Sequence, residues 1–311
     1  MVLTQKQQGN LIMLLTMTIF GLNIPINKYL YSEGLISPFG MTASRMTFAA
    51  IAFWVTSLFT LREKVAKKDL LILLLGGICG MVLNQGCFAY GLKQTSSVDA
   101  SIITTSGPLF AMIIAAIILK EPITFKKVGG VIVGGCGAII LVYTAQQANL
   151  SHGGSLIGNL SVMTAQFFYA FYLVITRPLS QKYSTITMMK WMFLFASLTT
   201  LPIFGKDMIQ APLFHQKDII PFLLIGFTLF GATFLTYMMI PLAQRRIQPT
   251  TISMYNNLQP LIATIVAVVA MGEKFTFERF IAAIFIFGGV YLVTTSKSKA
   301  DMEAEKTKIK P

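Results

Sequence analysis

Two prolines sit where amides and hydroxyls gather. Thr104, Thr105 and Ser106 precede Pro108, and Tyr255, Asn256, Asn257 and Gln259 precede Pro260. Each proline lacks an N–H and frees the carbonyl four residues earlier, on Thr104 and Asn256. Both prolines lie about eleven residues into an apolar run, roughly half the length a membrane-crossing helix needs. Freed backbone at that depth is tolerated only where protein or a wet cavity satisfies it. Other apolar runs bring Asn23, Asn84, Gln85, Gln166, Tyr169, Tyr172 and Tyr237. With Thr105, Ser106, Tyr255, Asn256 and Gln259 these are the candidate solute ligands, and Pro108 and Pro260 the candidate gates. Neutral donors and acceptors in that number suit hydrogen bonding to a zwitterion or a heterocycle. For any single one of them, bonding one helix to another is an equally good reading.

Charge inside the runs is sparse. Lys28 lies one turn from a run's end and can snorkel. Arg45 lies about seven residues, roughly 10 Å, from the nearer end. It is expected to face the interior, either pairing with Asp99 or lining an outer vestibule. Lys190 is expected to snorkel, and Glu121 and Glu273 to tie loops where their runs end. No Asp, Glu or His occupies a run's centre, so the carboxylate relay of a proton-coupled pump has no obvious member, and a uniporter or exchanger is favoured. Cys79, Cys87 and Cys136 read as free buried thiols, and His152 and His215 fall in outer loops. The sequons at Asn149 and Asn159 carry little weight. No catalytic residue, metal or cofactor is expected, and a membrane enzyme would need a clustered acid, base or nucleophile that the chain lacks.

The elements that must position these residues are apolar throughout. Of 311 residues, 54% are hydrophobic and only 12% charged, with mean hydropathy +0.68. That composition excludes an ordinary soluble domain. Spans are predicted at about 10–31, 38–60, 69–90, 97–119, 126–145, 155–176, 185–204, 218–240, 249–270 and 276–295. The fold class is therefore all-α integral membrane, with ten transmembrane helices. Glycine pairs at Gly76 and Gly80, and at Gly130 and Gly134 with Gly137, predict close helix contacts. Phe167, Phe168 and Phe171 read as packed or lipid-facing.

The halves repeat. At an offset of 149, Gly9 falls on Gly158, Lys28 on Arg177 and Asp69 on Asp218; after a three-residue slip before Pro241, Pro108 falls on Pro260, Glu121 on Glu273 and Gly137 on Gly289. An odd number of spans per copy turns the second copy over, giving two inverted five-helix repeats at 9–145 and 155–295, followed by a mobile cytoplasmic tail at 296–311. Lysine and arginine concentrate on one set of loops, so the net charge of +13 reads as positive-inside bias and not as a nucleic-acid face. Both termini are expected in the cytoplasm, in the inner membrane.

These residues resemble the EamA-type ten-helix carriers of the drug/metabolite transporter superfamily. The opening signature is Phe20-Gly21-Leu22-Asn23, Lys28, Pro38 and Arg45. It continues through Ala89-Tyr90-Gly91-Leu92, Thr95-Ser96-Ser97, Pro108-Leu109-Phe110, Glu121 and Gly137. The second copy answers with Pro241-Leu242-Ala243-Gln244, Pro260-Leu261, Gly272-Glu273 and Gly288-Gly289, but has Tyr172 for Asn23 and Arg177 for Lys28. The resemblance implies a secondary transporter of a small polar metabolite, an amino acid or similar, working as an exporter by alternating access. A lipid or lipid-linked carrier flippase of the same form stays open as the alternative. The expected partners are the metabolite and the bilayer, with the protein a monomer or weak homodimer. Solute, direction and coupling ion are left open.

Overall fold

The computed structural model describes residues 4–118, 124–148, 155–180, 182–244, 246, 258–272 and 274–294. Among them there are helices and turns but no strand. This follows from the composition, because in lipid a helix satisfies every backbone polar group within one segment.

Helix α1 (Gln5–Ser32) starts at a capping box on Thr4 and runs through Pro25; α2 (Pro38–Ser57) starts at Ser37 with Pro38 in its first turn. Helix α3 (Lys67–Gln94) is followed by α4, which is broken into Ser97–Thr104 and Gly107–Ile118. Then come α5 (Phe125–Ala148), α6 (Leu156–Ser180) and α7 (Thr185–Ile209). Helix α8 spans Ile220–Gly226, Phe227–Leu235 and Thr236–Gln244; α9 is Leu258–Met271 and α10 is Phe277–Thr294. Six helical stretches are long and apolar enough to cross a membrane: Gln7–Ser32, Lys67–Gln94, Ser97–Ile118, Leu156–Ser180, Thr185–His215 and Ile220–Ile240. Leu11, Ile51, Ile117, Ile132, Leu198, Leu223 and Val269 are exposed, an apolar exterior that suits lipid and not water. The chain is an all-helical integral membrane protein.

Two helices widen midway. In α3 the stretch Ile78–Leu83 is π-helical, closed where the Asn84 N–H donates to the Cys79 carbonyl; in α8 the stretch Phe227–Leu235 is π-helical, closed where the Thr236 N–H donates to the Gly231 carbonyl. Such stretches are rare and often mark functional positions.

Packing joins α2 to α7, α5 to α10, α3 to α6, α1 to both α8 and α9, and α4 to both α6 and α9. Small residues permit the closest approaches. A Cβ on Gly77 would lie 2.6 Å from the Met192 carbonyl oxygen, and one on Gly137 2.7 Å from that of Ala282. A Cβ on Gly289 would strike the Gly130 carbonyl and the Gly134 backbone in the same way. The glycine faces therefore pack as expected. Cys136 does not: it is exposed, because the packed face of α5 is the one carrying Gly130, Gly134 and Gly137. Phe168 and Phe171 pack against buried clusters, while Phe167 is exposed with an edge contact to Phe110.

Polar groups tie the bundle at both ends. At one end Ser37 Oγ donates to Asp207 at 3.0 Å, the Leu213 N–H donates to the Leu35 carbonyl, and Thr95 bonds Asn159. At the other, the Ser184 N–H and hydroxyl donate to Glu63 at 3.0 and 2.8 Å, and Lys182 and the Tyr183 hydroxyl hold Asp69. Burial alone would raise the Glu63 carboxyl. Hydrogen bonds from Thr187 and Ser184, with the nearby Lys190 charge, outweigh it and hold the group below its ordinary value. Lys190 itself lies over the Trp54 ring at 5.0 Å.

Candidate functional site

Arg45 is the centre of the polar interior. It sits on α2 with 6% exposure, and its partners come from the two helices that widen. Nε donates to Thr233 Oγ at 2.8 Å, Nη1 to Gln85 Oε1 at 2.6 Å and Nη2 to the Ala232 carbonyl at 3.3 Å. The Tyr237 hydroxyl lies beside the Gln85 side chain, and the Tyr31 and Tyr237 hydroxyls lie near the guanidinium. Tyr237 in turn neighbours Tyr169 and Tyr172 on α6, whose rings are 5.9 Å apart. Phe193 and Phe20 approach the Tyr237 ring edge-on at 5.3 and 6.5 Å. An aromatic wall thus surrounds a cation and a row of neutral polar groups.

Arg45 does not pair with Asp99. That carboxylate belongs to Arg279 of α10, whose Nε reaches Oδ1 at 2.7 Å and whose Nη2 reaches Oδ2 at 3.1 Å. The side-on fork holds Asp99 more completely than a residue facing α8 could. Lys28, expected to reach solvent, instead donates to the carbonyls of Leu92 and Lys93 at the end of α3. Those are the acceptors a helix C-terminus leaves open, at its negative end.

The other expected ligands divide. Asn84 donates to the Ala165 carbonyl at 2.8 Å and accepts from Gln85. Thr228 Oγ lies 2.9 Å from Asn23 Oδ1 and 3.0 Å from Asn27 Oδ1. A hydroxyl carries one proton, so one of the two amides must turn its NH2 towards Thr228. Thr105 and Ser106 each donate the hydroxyl at 2.7 Å to the carbonyl three residues back. They satisfy the break in α4 at the turn before Pro108. Gln166 is buried beside Gly107, and Gln259 is half-buried in the first turn of α9, its carbonyl against Gly21. Pro260 lies one residue further on; Tyr255 and Asn256, like Glu121 and Glu273, lie outside the described residues. The structure therefore places Gln85 and Tyr237 beside Arg45, with Tyr169 and Tyr172 next to Tyr237, and sets Asn23 and Asn84 at helix contacts. Thr233 and Tyr31 were missed by sequence reasoning. A threonine or tyrosine in an apolar run carries no signal of what it faces.

Residues 7–143 and 156–295 match the model of the EamA-like transporter family. The chain belongs to that family. Among similar proteins is an uncharacterized transporter of Bacillus subtilis, YetK, 26% identical over 310 residues that cover 96% of this chain and 91% of that protein. A probable terminal-alkyne amino-acid exporter of Streptantibioticus cattleyicolor is 24% identical, covering 75% of this chain and 76% of its own length. A solved crystal structure superposes with a TM-score of 0.59 at 17% identity, covering 93% of this chain and 98% of that one, a likeness of fold. In this EamA-like protein the buried polar cluster around Arg45 is a distinctive feature of the described interior.

Proposed function

We propose that the chain is a secondary transporter that carries a small polar metabolite, an amino acid or similar, across the inner membrane as an exporter. It works by alternating access between two inverted five-helix repeats, 9–145 and 155–295. The observation that carries this reading is the meeting of Gln85 and Tyr237, which occupy corresponding positions at an offset of 152 and come from the two widened helices. A solute at a pseudo-twofold axis is held by both halves and can be released to either side.

Further geometry supports the repeats. The contact of α3 with α6 has its counterpart in α8 with α1, and that of α4 with α6 in α9 with α1. Gly137 meets Ala282 and Ile286, while Gly289 meets Gly130 and Gly134; adding 152 to 130, 134 and 137 gives 282, 286 and 289. Similarity to the Streptantibioticus exporter makes an amino acid the first solute class to try. The break of α4 before Pro108 suits a gate, with Pro260 as its counterpart.

The purified protein in liposomes is expected to move at least one member of a panel of labelled amino acids. Tyr237→Phe removes one hydroxyl without changing shape and should weaken that solute's binding severalfold, about 0.5–1.5 kcal/mol, at normal expression. Wild-type uptake by this variant would place the solute elsewhere. Both termini are assigned to the cytoplasm, so in a cysteine-free background Lys64→Cys is expected to label only from inside and His215→Cys only from outside; labelling from the same side would refute the inverted arrangement.

A further inference from the structure

Arg45 and Arg279 present a contrast within one chain. Arg279 is matched by a carboxylate, bound by two nitrogens. Arg45 lies deeper in the bundle, yet its partners are a hydroxyl, an amide oxygen and a backbone carbonyl. None is charged. Neutral dipoles offset part of a guanidinium's desolvation, but an ion taken out of water regains the rest only from an opposite charge. A guanidinium also has five N–H donors, and three are engaged among the described residues. One donor on each terminal nitrogen is left, and a carboxylate accepts two such parallel bonds. Gln85 and Tyr237, next to the guanidinium, keep partial exposure, whereas Thr233 is fully buried.

We infer that Arg45 binds the carboxylate of the transported solute, so that the site selects compounds bearing a carboxylate over their neutral or cationic counterparts. This rests on the proposed transport role and narrows its substrate class. Arg45 is then a solute ligand and not a tie between α2 and α8. The free protein holds a positive charge in readiness, and the arriving anion completes the pair that no described residue supplies. Because the partners Thr233 and Ala232 belong to the widened part of α8, and Gln85 follows the widened part of α3, the charge is oriented by both halves.

The test compares acids with their amides. Full-length protein in detergent is titrated with the common L-amino acids, with the α-carboxamide of each and with the decarboxylated amine, and the thermal unfolding midpoint is followed. At least one acid should raise the midpoint, with its amide and amine binding tenfold or more weakly. Arg45→Gln should abolish that preference, and Arg45→Lys, which keeps the charge but loses the fork, should retain part of it. An amide that binds as well as its acid, no acid that binds at all, or an undiminished preference in Arg45→Gln overturns the inference. So does sodium chloride raising the midpoint alone and abolishing the acid's effect, since the site would then hold an inorganic anion. Where Arg45→Gln does not fold, the wild-type comparison and Arg45→Lys decide. Liposome flux of the same compounds separates the two readings. Acids that bind without being moved leave the carboxylate site standing and remove transport; flux confined to compounds without a carboxylate does the reverse.

Discussion

Arg279→Ala is expected to leave little folded protein. It strips the partner from Asp99, whose side chain is only 4% exposed, and takes a donor from Ser96, the residue that caps α4. An isolated carboxylate buried at that position costs about 3–5 kcal/mol, a large share of the 5–15 kcal/mol that holds a domain folded. The yield of monodisperse protein in detergent and its unfolding midpoint should both drop sharply. The double variant Asp99→Asn with Arg279→Gln replaces the ions by hydrogen-bonding amides and should recover most of the loss. A single variant as stable as the wild type would mean that the link between α4 and α10 contributes little.

The second large effect is expected at Gly289. Its missing side chain lets α10 touch the backbone of α5 at Gly130 and Gly134. Any Cβ there meets main-chain atoms, and neither helix can yield without moving its whole face. Overpacking a well-packed site costs about 1–3 kcal/mol, and a branched side chain against backbone belongs at the upper end. Gly289→Val should lower the midpoint by several degrees more than Gly135→Val, whose Cβ would meet nothing within 4 Å. Equal midpoints for the two variants would show that the close approach of α5 and α10 does not govern stability.

How much of this was legible follows from the solvent. Backbone groups in lipid must be satisfied within the segment, so an apolar run declares a helix: run 10–31 lies within helix Gln5–Ser32, and run 155–176 starts one residue before helix Leu156–Ser180. Glycines spaced along one face declared close packing at Gly137 for the same reason. Partners across the bundle were not legible. Arg279 lies 180 residues from Asp99, and Thr233 lies 188 from Arg45; helical spacing says which residues share a face but not which face it meets. The backbone bonds of Thr105 and Ser106 were not legible, because a hydroxyl next to a helix break can bond its own backbone, and sequence alone cannot weigh that against a solute. The widening of α3 and α8 carried no signal in residue type.

That widening also records history, if the two halves descend from one ancestral segment. Ile78 and Phe227, where the wide stretches begin, are 149 residues apart, whereas Leu83 and Leu235, where they end, are 152 apart. The three residues by which the copies differ therefore lie inside the wide stretch itself. Three more residues wound as α-helix would have turned everything beyond them by about 300° and pushed it about 4.5 Å further along. Every side chain after the insertion, Tyr237 included, would have faced a new neighbour. Uncoiled into a broader turn, the same insertion left the downstream register usable. On that descent, a wide stretch in both halves would predate the duplication, and the difference in its length would be a later change in one copy. The halves would thus have begun to diverge at the position where they meet.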